Sequence, residues 1–247
     1  MTLELVNCKS EIMKTIVHRN NTRVANGYGW INMEASFRPD GVKGRINFGS
    51  LVNLDDAWIR PGEKEGFGFH PHKDMEIVSL ILEGTMDHKD RGGNNAMIKS
   101  PGLQAITSGT GIIHNEVNGE NTPLNMLQIW FLPNENGLRP DYGALEFTHS
   151  SYTNSLKEII SPEKEDGKIS ISQNVRMSIG QFQESTSILY KLKGEKHGVY
   201  IMILEGSAKV GDVELKKRDA IGVSEIKALN FQTLENNSKI LVIEVEL

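Results

Sequence analysis

The feature that most limits the fold of this chain is an apolar pattern of period two, repeated in many short runs. Such alternation puts apolar and polar side chains on opposite faces of an extended strand. Turn-forming residues interrupt the runs, as at Gly92-Gly93-Asn94-Asn95. Many short strands with frequent turns indicate an all-β sandwich or barrel. The predicted strands are Gly44–Leu51, Ile77–Glu83, Ala96–Lys99, Leu124–Leu132, Val199–Leu204 and Lys239–Val245.

One short segment, Asn154–Ile160, has a helical pattern instead. Ser161-Pro162 follows it, and a residue before proline is disfavoured in helical geometry. We therefore expect one short helix in an otherwise all-β chain.

A four-residue sequence occurs twice. Ile81-Leu82-Glu83-Gly84 returns 122 residues later as Ile203-Leu204-Glu205-Gly206. A match this short arises readily by chance, but each copy is followed by the same order of strand, polar turn and strand, which favours duplication. The repeat predicts two similar β-lobes. Because residues 134–165 are polar and contain two prolines, we place the N-terminal domain at residues 1–140 and the C-terminal domain at residues 141–247.

Charge and cysteine content exclude several classes of protein. The formal net charge is -5 and no basic stripe is present, which argues against direct contact with nucleic acid. The single cysteine, Cys8, cannot form an internal disulfide, so folding needs no oxidising compartment. No apolar run reaches the roughly 18 residues of a membrane span, and the N-terminus lacks the apolar core of a secretion signal. We expect a cytoplasmic protein without membrane contact.

Two short motifs supply metal-ligating side chains. His70 and His72 stand two residues apart in an extended segment, so both imidazoles project to one side. His114 and Glu116 repeat that spacing. Three imidazoles and a carboxylate suit Fe(II), Mn(II), Co(II), Ni(II), Cu(II) or Zn(II), and are too rich in nitrogen for Mg²⁺ or Ca²⁺. We therefore predict one metal ion held by His70, His72, His114 and Glu116.

Neighbouring acidic residues receive other roles. Glu76 follows His72 by four residues, and we expect it to accept a hydrogen bond from a ligand imidazole. Asp74 is expected to be a solvated turn residue. The remaining histidines His18, His88 and His149 have no partner in the local sequence and receive no role.

The second repeat lacks the same motifs. At an offset of 122 residues, His70 and His72 correspond to Leu192 and Gly194. No His-x-Glu motif follows Asp219. We expect a second domain without a metal site, and we expect His197 to be a surface or hydrogen-bonded histidine.

Four segments together resemble the pirin family of the cupin superfamily. They are HPHKDMEIVSLILEG, HKDRGGN, TSGTGIIHNE and LQIWFLP, and the sequence is most similar to the bacterial pirin-like proteins described as quercetin 2,3-dioxygenases. The resemblance implies two jelly-roll (cupin) domains, with one ion, Fe(II) by preference, at His70, His72, His114 and Glu116. Relative to the family pattern, Met1–Lys14 is an extra segment.

The resemblance implies a dioxygenase that cleaves a flavonol such as quercetin with O₂. Glu116 is then both a ligand and the acceptor of the substrate proton. Met97, Ile113 and Trp130 are candidates for the cavity lining, with core packing as the competing role.

Two other functions remain open at this stage. One is a non-enzymatic iron and redox sensor that acts on a protein partner, and the other is an oxygenase for a different small aromatic substrate. All three are compatible with the same ligands, and a monomer is the expected state.

Overall fold

Each half of the chain folds as a pair of β-sheets. The computed structural model describes residues 13–39, 41, 45 and 47–247. Within these residues there are 22 strands and two short 3-10 turns, Asn20–Thr22 and His149–Tyr152, and no helix is long and apolar enough to cross a membrane. Each lobe combines a seven-stranded sheet with a four-stranded sheet. The predicted all-β fold of two jelly-roll domains is confirmed.

The first lobe contains β2 (Val24–Tyr28), β3 (Ile31–Phe37), β4 (Leu51–Ile59), β5 (His70–His72), β6 (Glu76–Glu83), β7 (Thr85–Asp90), β8 (Asn95–Lys99), β9 (Gly102–Thr107), β10 (Ile112–Val117), β11 (Leu124–Phe131) and β12 (Asp141–Glu146). The second lobe contains β1 (Lys14–His18), β13 (Leu156–Ser161), β14 (Ile169–Ser170), β15 (Arg176–Phe182), β16 (Ser187–Lys191), β17 (His197–Glu205), β18 (Ser207–Val210), β19 (Val213–Lys216), β20 (Ala220–Ser224), β21 (Ala228–Thr233) and β22 (Ser238–Glu246).

The two lobes share one strand order. The large sheets run β12-β9-β6-β11-β4-β3-β2 and β1-β20-β17-β22-β15-β13-β14, and the small sheets run β5-β10-β7-β8 and β16-β21-β18-β19. Gly84 and Gly206, the glycines of the repeated sequence, connect equivalent strands with φ of +80° and +74°. The predicted duplication is therefore present in the topology as well as in the sequence.

Two strands belong to the lobe on the other side of the domain boundary predicted between residues 140 and 141. β12 pairs with β9 and forms an edge of the large sheet in the first lobe. β1 pairs with β20 and forms the equivalent edge in the second lobe. The lobe to which β1 and β12 belong thus differs from the domain to which the predicted boundary assigns them. A local sequence pattern specifies a strand but not the sheet edge that the strand covers.

One hydrophobic core continues from lobe to lobe. Within β17, the side chains of Tyr200, Met202 and Leu204 join a core that also contains Val78 and Leu80 of the first lobe. The alternate residues of β17 pack inside the second lobe. Strands buried on both faces read as continuous apolar runs, which explains the sequence Val199–Leu204.

The expected helix at Asn154–Ile160 is wrong. Those residues lead into β13, which pairs with β15. Ile159 and Ile160 are fully buried, and Asn154 has a φ of +54°. Strand pairing and burial override the local helical pattern here.

Two other expectations concern the N-terminal region. The strand predicted at Gly44–Leu51 begins only at Leu51, while Gly44 lies outside the described residues. The extra segment Met1–Lys14 falls almost entirely on residues 1–12, which are also outside them.

Candidate metal centre

Strands β5 and β10 bring three histidines together in the small sheet of the first lobe. His70 lies directly opposite His114, and His72 lies opposite Ile112. Opposed residues of antiparallel strands project from the same face. The ring centroids are 4.5 Å apart for His70 and His114 and 5.0 Å apart for each of the two pairs that contain His72. One ring nitrogen of each lies within 4.8 Å of the other two, so all three can reach one ion.

His114 provides the test of whether a metal fits. Its side chain is fully buried, yet neither ring nitrogen has a hydrogen-bond partner. Buried polar atoms are normally satisfied, and a metal ion would take up the lone pair of one of these two nitrogens. Burial, followed by the charges of His70 and His88, lowers the pKa of His114 to about 3. A neutral ring with a free lone pair is the form that binds a transition metal.

The other two imidazoles are also prepared for this role. His70 Nδ1 lies 2.9 Å from the carbonyl oxygen of Gly68. Because a carbonyl only accepts, Nδ1 carries the proton and Nε2 is free for a metal. Burial, followed by His114 and His70, lowers the pKa of His72 to about 4. These residues fit a divalent transition metal.

Glu116 lies beside His114 but is held by other side chains. Its Oε1 accepts hydrogen bonds from Ser79 Oγ, at 2.8 Å, and from Gln104 Nε2. Its Oε2 accepts one from Gln128 Nε2 at 2.8 Å. Within 4.8 Å, Glu116 groups with His114 and His88 rather than with His70 and His72. The four predicted ligands and His88 therefore form two overlapping groups of three that share His114.

His88 is a member of the site that the sequence reasoning missed. It lies opposite Glu116 across β7 and β10 and is fully buried. Its Nε2 is 3.3 Å from Asp90 Oδ2, and its Nδ1 has no partner. A signal was available, because His88 and Asp90 have the same two-residue spacing as the recognised motifs. What the sequence lacked was the pairing of β7 with β10.

A cavity of about 550 Å³ opens onto this centre. Its polar lining includes His70, His72 and Glu116. Its aromatic lining consists of Tyr28, Phe67 and Trp130, and the Trp130 ring contacts His72 edge-on at 5.2 Å. Of the three predicted lining residues, Trp130 alone lines this cavity. Met97 is 52% exposed on the outer sheet edge, and Ile113 lines a different pocket.

The role expected for Glu76 is wrong, whereas Asp74 lies in a turn, as expected. Glu76 is fully buried and accepts hydrogen bonds from Thr107 Oγ1, at 2.7 Å, and from Ser172 of the second lobe. Asp74, with a φ of +50°, separates β5 from β6, so the strand alternation does not carry over from His72. Asp74 is half-buried, and its Oδ1 accepts the N–H of Gly137 at 2.6 Å.

Strand register corrects the comparison between the repeats. His70, His72, His88, His114 and Glu116 are equivalent to Tyr190, Leu192, Val210, Leu229 and Phe231, because the β16, β18 and β21 pairings match those of β5, β7 and β10. His70 thus corresponds to Tyr190 rather than Leu192. All five second-lobe side chains belong to, or pack against, its hydrophobic core.

His197 is a hydrogen-bonded histidine and not a surface one. It is 5% exposed, and its Nδ1 lies 2.8 Å from Glu244 Oε1. Its Nε2 lies 3.1 Å from Asn174 Nδ2.

Comparison with known proteins gives two family matches. The Pirin family model matches residues 30–131. A model described as the quercetinase C-terminal cupin domain matches residues 158–245. Together the matches cover both lobes.

Individual relatives span nearly the whole chain. A Zymomonas mobilis protein, provisionally named a quercetin 2,3-dioxygenase, is 30% identical over 87% of this chain and 92% of its own length. The quercetin 2,3-dioxygenase of Escherichia coli K12 is 28% identical over 93% of this chain and 97% of its own. The crystal structure of the bacterial pirin YhhW from Escherichia coli, in complex with nickel(II), has a TM-score of 0.86 at 26% identity and covers 94% of this chain and 99% of its own.

Proposed function

Because the chain belongs to the pirin family, we propose that it is a metal-dependent dioxygenase that cleaves a flavonol such as quercetin with O₂. The observation that carries this proposal is the position of three close imidazoles and a buried carboxylate beside an aromatic-lined cavity. We assign the metal to His70, His72, His114 and Glu116, with Fe(II) as the favoured ion. Names of relatives support the reaction class.

A bound divalent ion would supply Lewis-acid stabilisation of a deprotonated substrate hydroxyl and open coordination positions. The chain's own residues hold the substrate and its proton. Tyr28, Phe67 and Trp130 offer apolar faces to a flat aromatic ring. Glu116 Oε2 has one hydrogen-bond donor, whereas Oε1 has two. Oε2 is therefore the atom with room to take the hydroxyl proton, which makes Glu116 the proposed catalytic residue.

Oxygen uptake with quercetin tests the proposal. The protein would be loaded separately with Fe(II), Mn(II), Co(II), Ni(II) or Cu(II), alongside His72→Ala and the control His149→Ala at an exposed histidine. Saturable, metal-dependent uptake that is lost in His72→Ala and kept in His149→Ala is expected. Stoichiometric metal without uptake of oxygen would overturn flavonol cleavage. Uptake with another aromatic hydroxy compound would reassign the substrate.

Redox sensing is the second candidate, favoured by one contact between the lobes. Glu76, four residues after His72, accepts the backbone N–H of Ser172 at 3.1 Å. A change of iron oxidation state that moves β5 would reach the second lobe through this hydrogen bond. Sensing predicts different amide hydrogen exchange around Ser172 in the Fe(II) and Fe(III) forms, and identical exchange would remove this candidate.

A further inference from the structure

Two arginines are buried where the lobes meet, away from the metal centre. Arg23 precedes β2 of the first lobe, and Arg218 lies between β19 and β20 of the second. Their exposed fractions are 7% and 6%. A guanidinium stays protonated in a protein, so each residue brings a positive charge into the seam between the lobes.

Arg218 has a partner for its charge. Its Nε lies 2.8 Å from Asp56 Oδ2, and its Nη2 donates to Asn125 Oδ1 at 2.9 Å. Asn125 Nδ2 donates to the other oxygen of Asp56 at 2.7 Å. Both carboxylate oxygens of Asp56 are therefore engaged, and Asp56 itself is 4% exposed.

Arg23 has no such partner among the described residues. Its Nη2 donates to Met202 Sδ at 3.6 Å, and a thioether sulfur is a weak acceptor. Arg23 Nε and Nη1 have no acceptor, and neither does Nη1 of Arg218. Burial lowers the pKa of Arg23 most and the charge of Arg218 adds to this, while Tyr200, Asp56 and Glu34 act in the opposite direction. Of the two buried guanidinium groups, only that of Arg218 contacts a carboxylate within the described part of the chain, and both groups have unused donors.

We infer that Arg23 and Arg218 bind a small inorganic anion between the two lobes. A buried charge that lacks a partner is strongly destabilising. Water would satisfy the N–H groups but leave the charge unbalanced, whereas an anion does both. Because both guanidinium groups are almost sealed from solvent, the site fits a halide or a small oxyanion rather than an organic acid. This site does not depend on the proposed enzymatic function.

Thermal unfolding at constant ionic strength tests the inference, with sodium gluconate replaced stepwise by sodium chloride. The midpoint of the native protein is expected to rise with the logarithm of chloride concentration, as for a ligand that binds only the folded state. Arg23→Met is expected to remove that dependence. The control Arg60→Met, at an exposed arginine of the first lobe, is expected to keep it.

Diffraction from crystals soaked in bromide gives the position directly and does not depend on any variant folding. An anomalous peak within hydrogen-bonding distance of Arg23 and Arg218 is the expected result. A chloride-independent midpoint in the native protein, together with no peak at the seam, would overturn the inference. An equal chloride response in Arg23→Met and the native protein would also overturn it.

Discussion

At the scale of single residues, the candidate centre combines ring nitrogens that have no hydrogen-bond partner with a carboxylate that neighbouring side chains hold in place. His114 contributes two buried ring nitrogens without partners, and His70 is oriented by a backbone carbonyl. Glu116 differs, because three donors hold its carboxylate in place before any metal binds. The imidazoles are thus open to a metal, while the carboxylate is preorganised.

Glu116→Gln is expected to lower metal affinity more than tenfold and to abolish turnover. The amide has no charge, and its NH₂ group would face the donating amides of Gln104 or Gln128. Competition with a fluorescent chelator measures the affinity, with the exposed Glu120→Gln as control. Native-like metal affinity and turnover in Glu116→Gln would show that Glu116 is neither a metal ligand nor a catalytic residue.

His88→Gln is expected to weaken metal binding by about 10- to 100-fold, the usual effect of losing a partner next to the ligands. The ring packs on Tyr142 at 4.6 Å and pairs with Asp90, and both contacts depend on imidazole. The same chelator assay applies, with His149→Gln as control. Unchanged affinity would mean that His88 only fills space.

The buried His18 predicts acid sensitivity. Burial first, then Arg45 and Arg23, lowers its pKa from 6.5 to about 4. Between these pH values the His18 side chain binds a proton in the unfolded chain but not in the folded protein. The stability that His18 contributes is therefore complete above pH 6.5 and is lost as the pH drops towards 4. The slope from one such group reaches about 1.4 kcal/mol per pH unit.

Urea unfolding of the metal-free protein between pH 7 and pH 4.5 measures this dependence. His18→Gln is expected to reduce the slope of the unfolding free energy against pH, and the exposed His149→Gln is expected to leave it unchanged. Parallel curves for His18→Gln and the native protein would contradict the assignment.

At the scale of elements, the repeated glycine keeps adjacent strands in place. Gly84 turns the chain from β6 of the large sheet into β7 of the small sheet, and Gly206 does the same in the second lobe. An added Cβ would lie 2.3 Å from the carbonyl oxygen of Pro123 at Gly84 and 2.4 Å from Ser238 Oγ at Gly206. The turn therefore sets how His88, on β7, faces β10.

Gly84→Ala is expected to destabilise the protein at least twice as much as Gly137→Ala. Gly137 has a similar φ of +73°, but a Cβ there meets nothing within 4 Å. The control thus isolates the backbone strain, about 1–2 kcal/mol, from the steric clash. Chemical denaturation measures the free energy of unfolding of both variants. Equal decreases would show that the connection between β6 and β7 accommodates the added Cβ without a steric penalty.

At the scale of the whole molecule, the two lobes share a hydrophobic core, and an N-terminal strand forms a sheet edge of the C-terminal lobe. Side chains from β6 and β17 lie in one hydrophobic cluster, while β1 covers the sheet edge of the lobe at the other end of the chain. Buried polar contacts cross the same seam through Glu76 and Arg218. Neither lobe is complete without the other, so we expect them to unfold together.

Ile243→Ala tests this coupling, because Ile243 lies in the second lobe and is fully buried in the shared core. All three tryptophans, Trp30, Trp58 and Trp130, lie in the first lobe. The cavity is expected to cost about 2–5 kcal/mol and to lower the unfolding midpoint reported by tryptophan fluorescence. The exposed Leu189→Ala is the control. A tryptophan midpoint that stays at the native value would mean that the lobes unfold independently.

The chain sequence by itself determined the β architecture, the duplication and three histidines that come together. These depend on local rules: a period of two, a glycine turn, and side chains two residues apart on one face of a strand. His70 and His72 could be assigned to one side without knowing any other strand. The family resemblance rested on those same short segments, and the comparisons bear it out.

Only the tertiary structure decided what depends on pairing between distant strands. His88 joins the centre because β7 lies beside β10, and Glu76 turns towards the second lobe because the chain breaks at Asp74. β13 is a strand because β15 and a buried core select that conformation over the local helical pattern. Each outcome reflects contacts between residues far apart in sequence, whose free energy exceeds local preference and has no local signature.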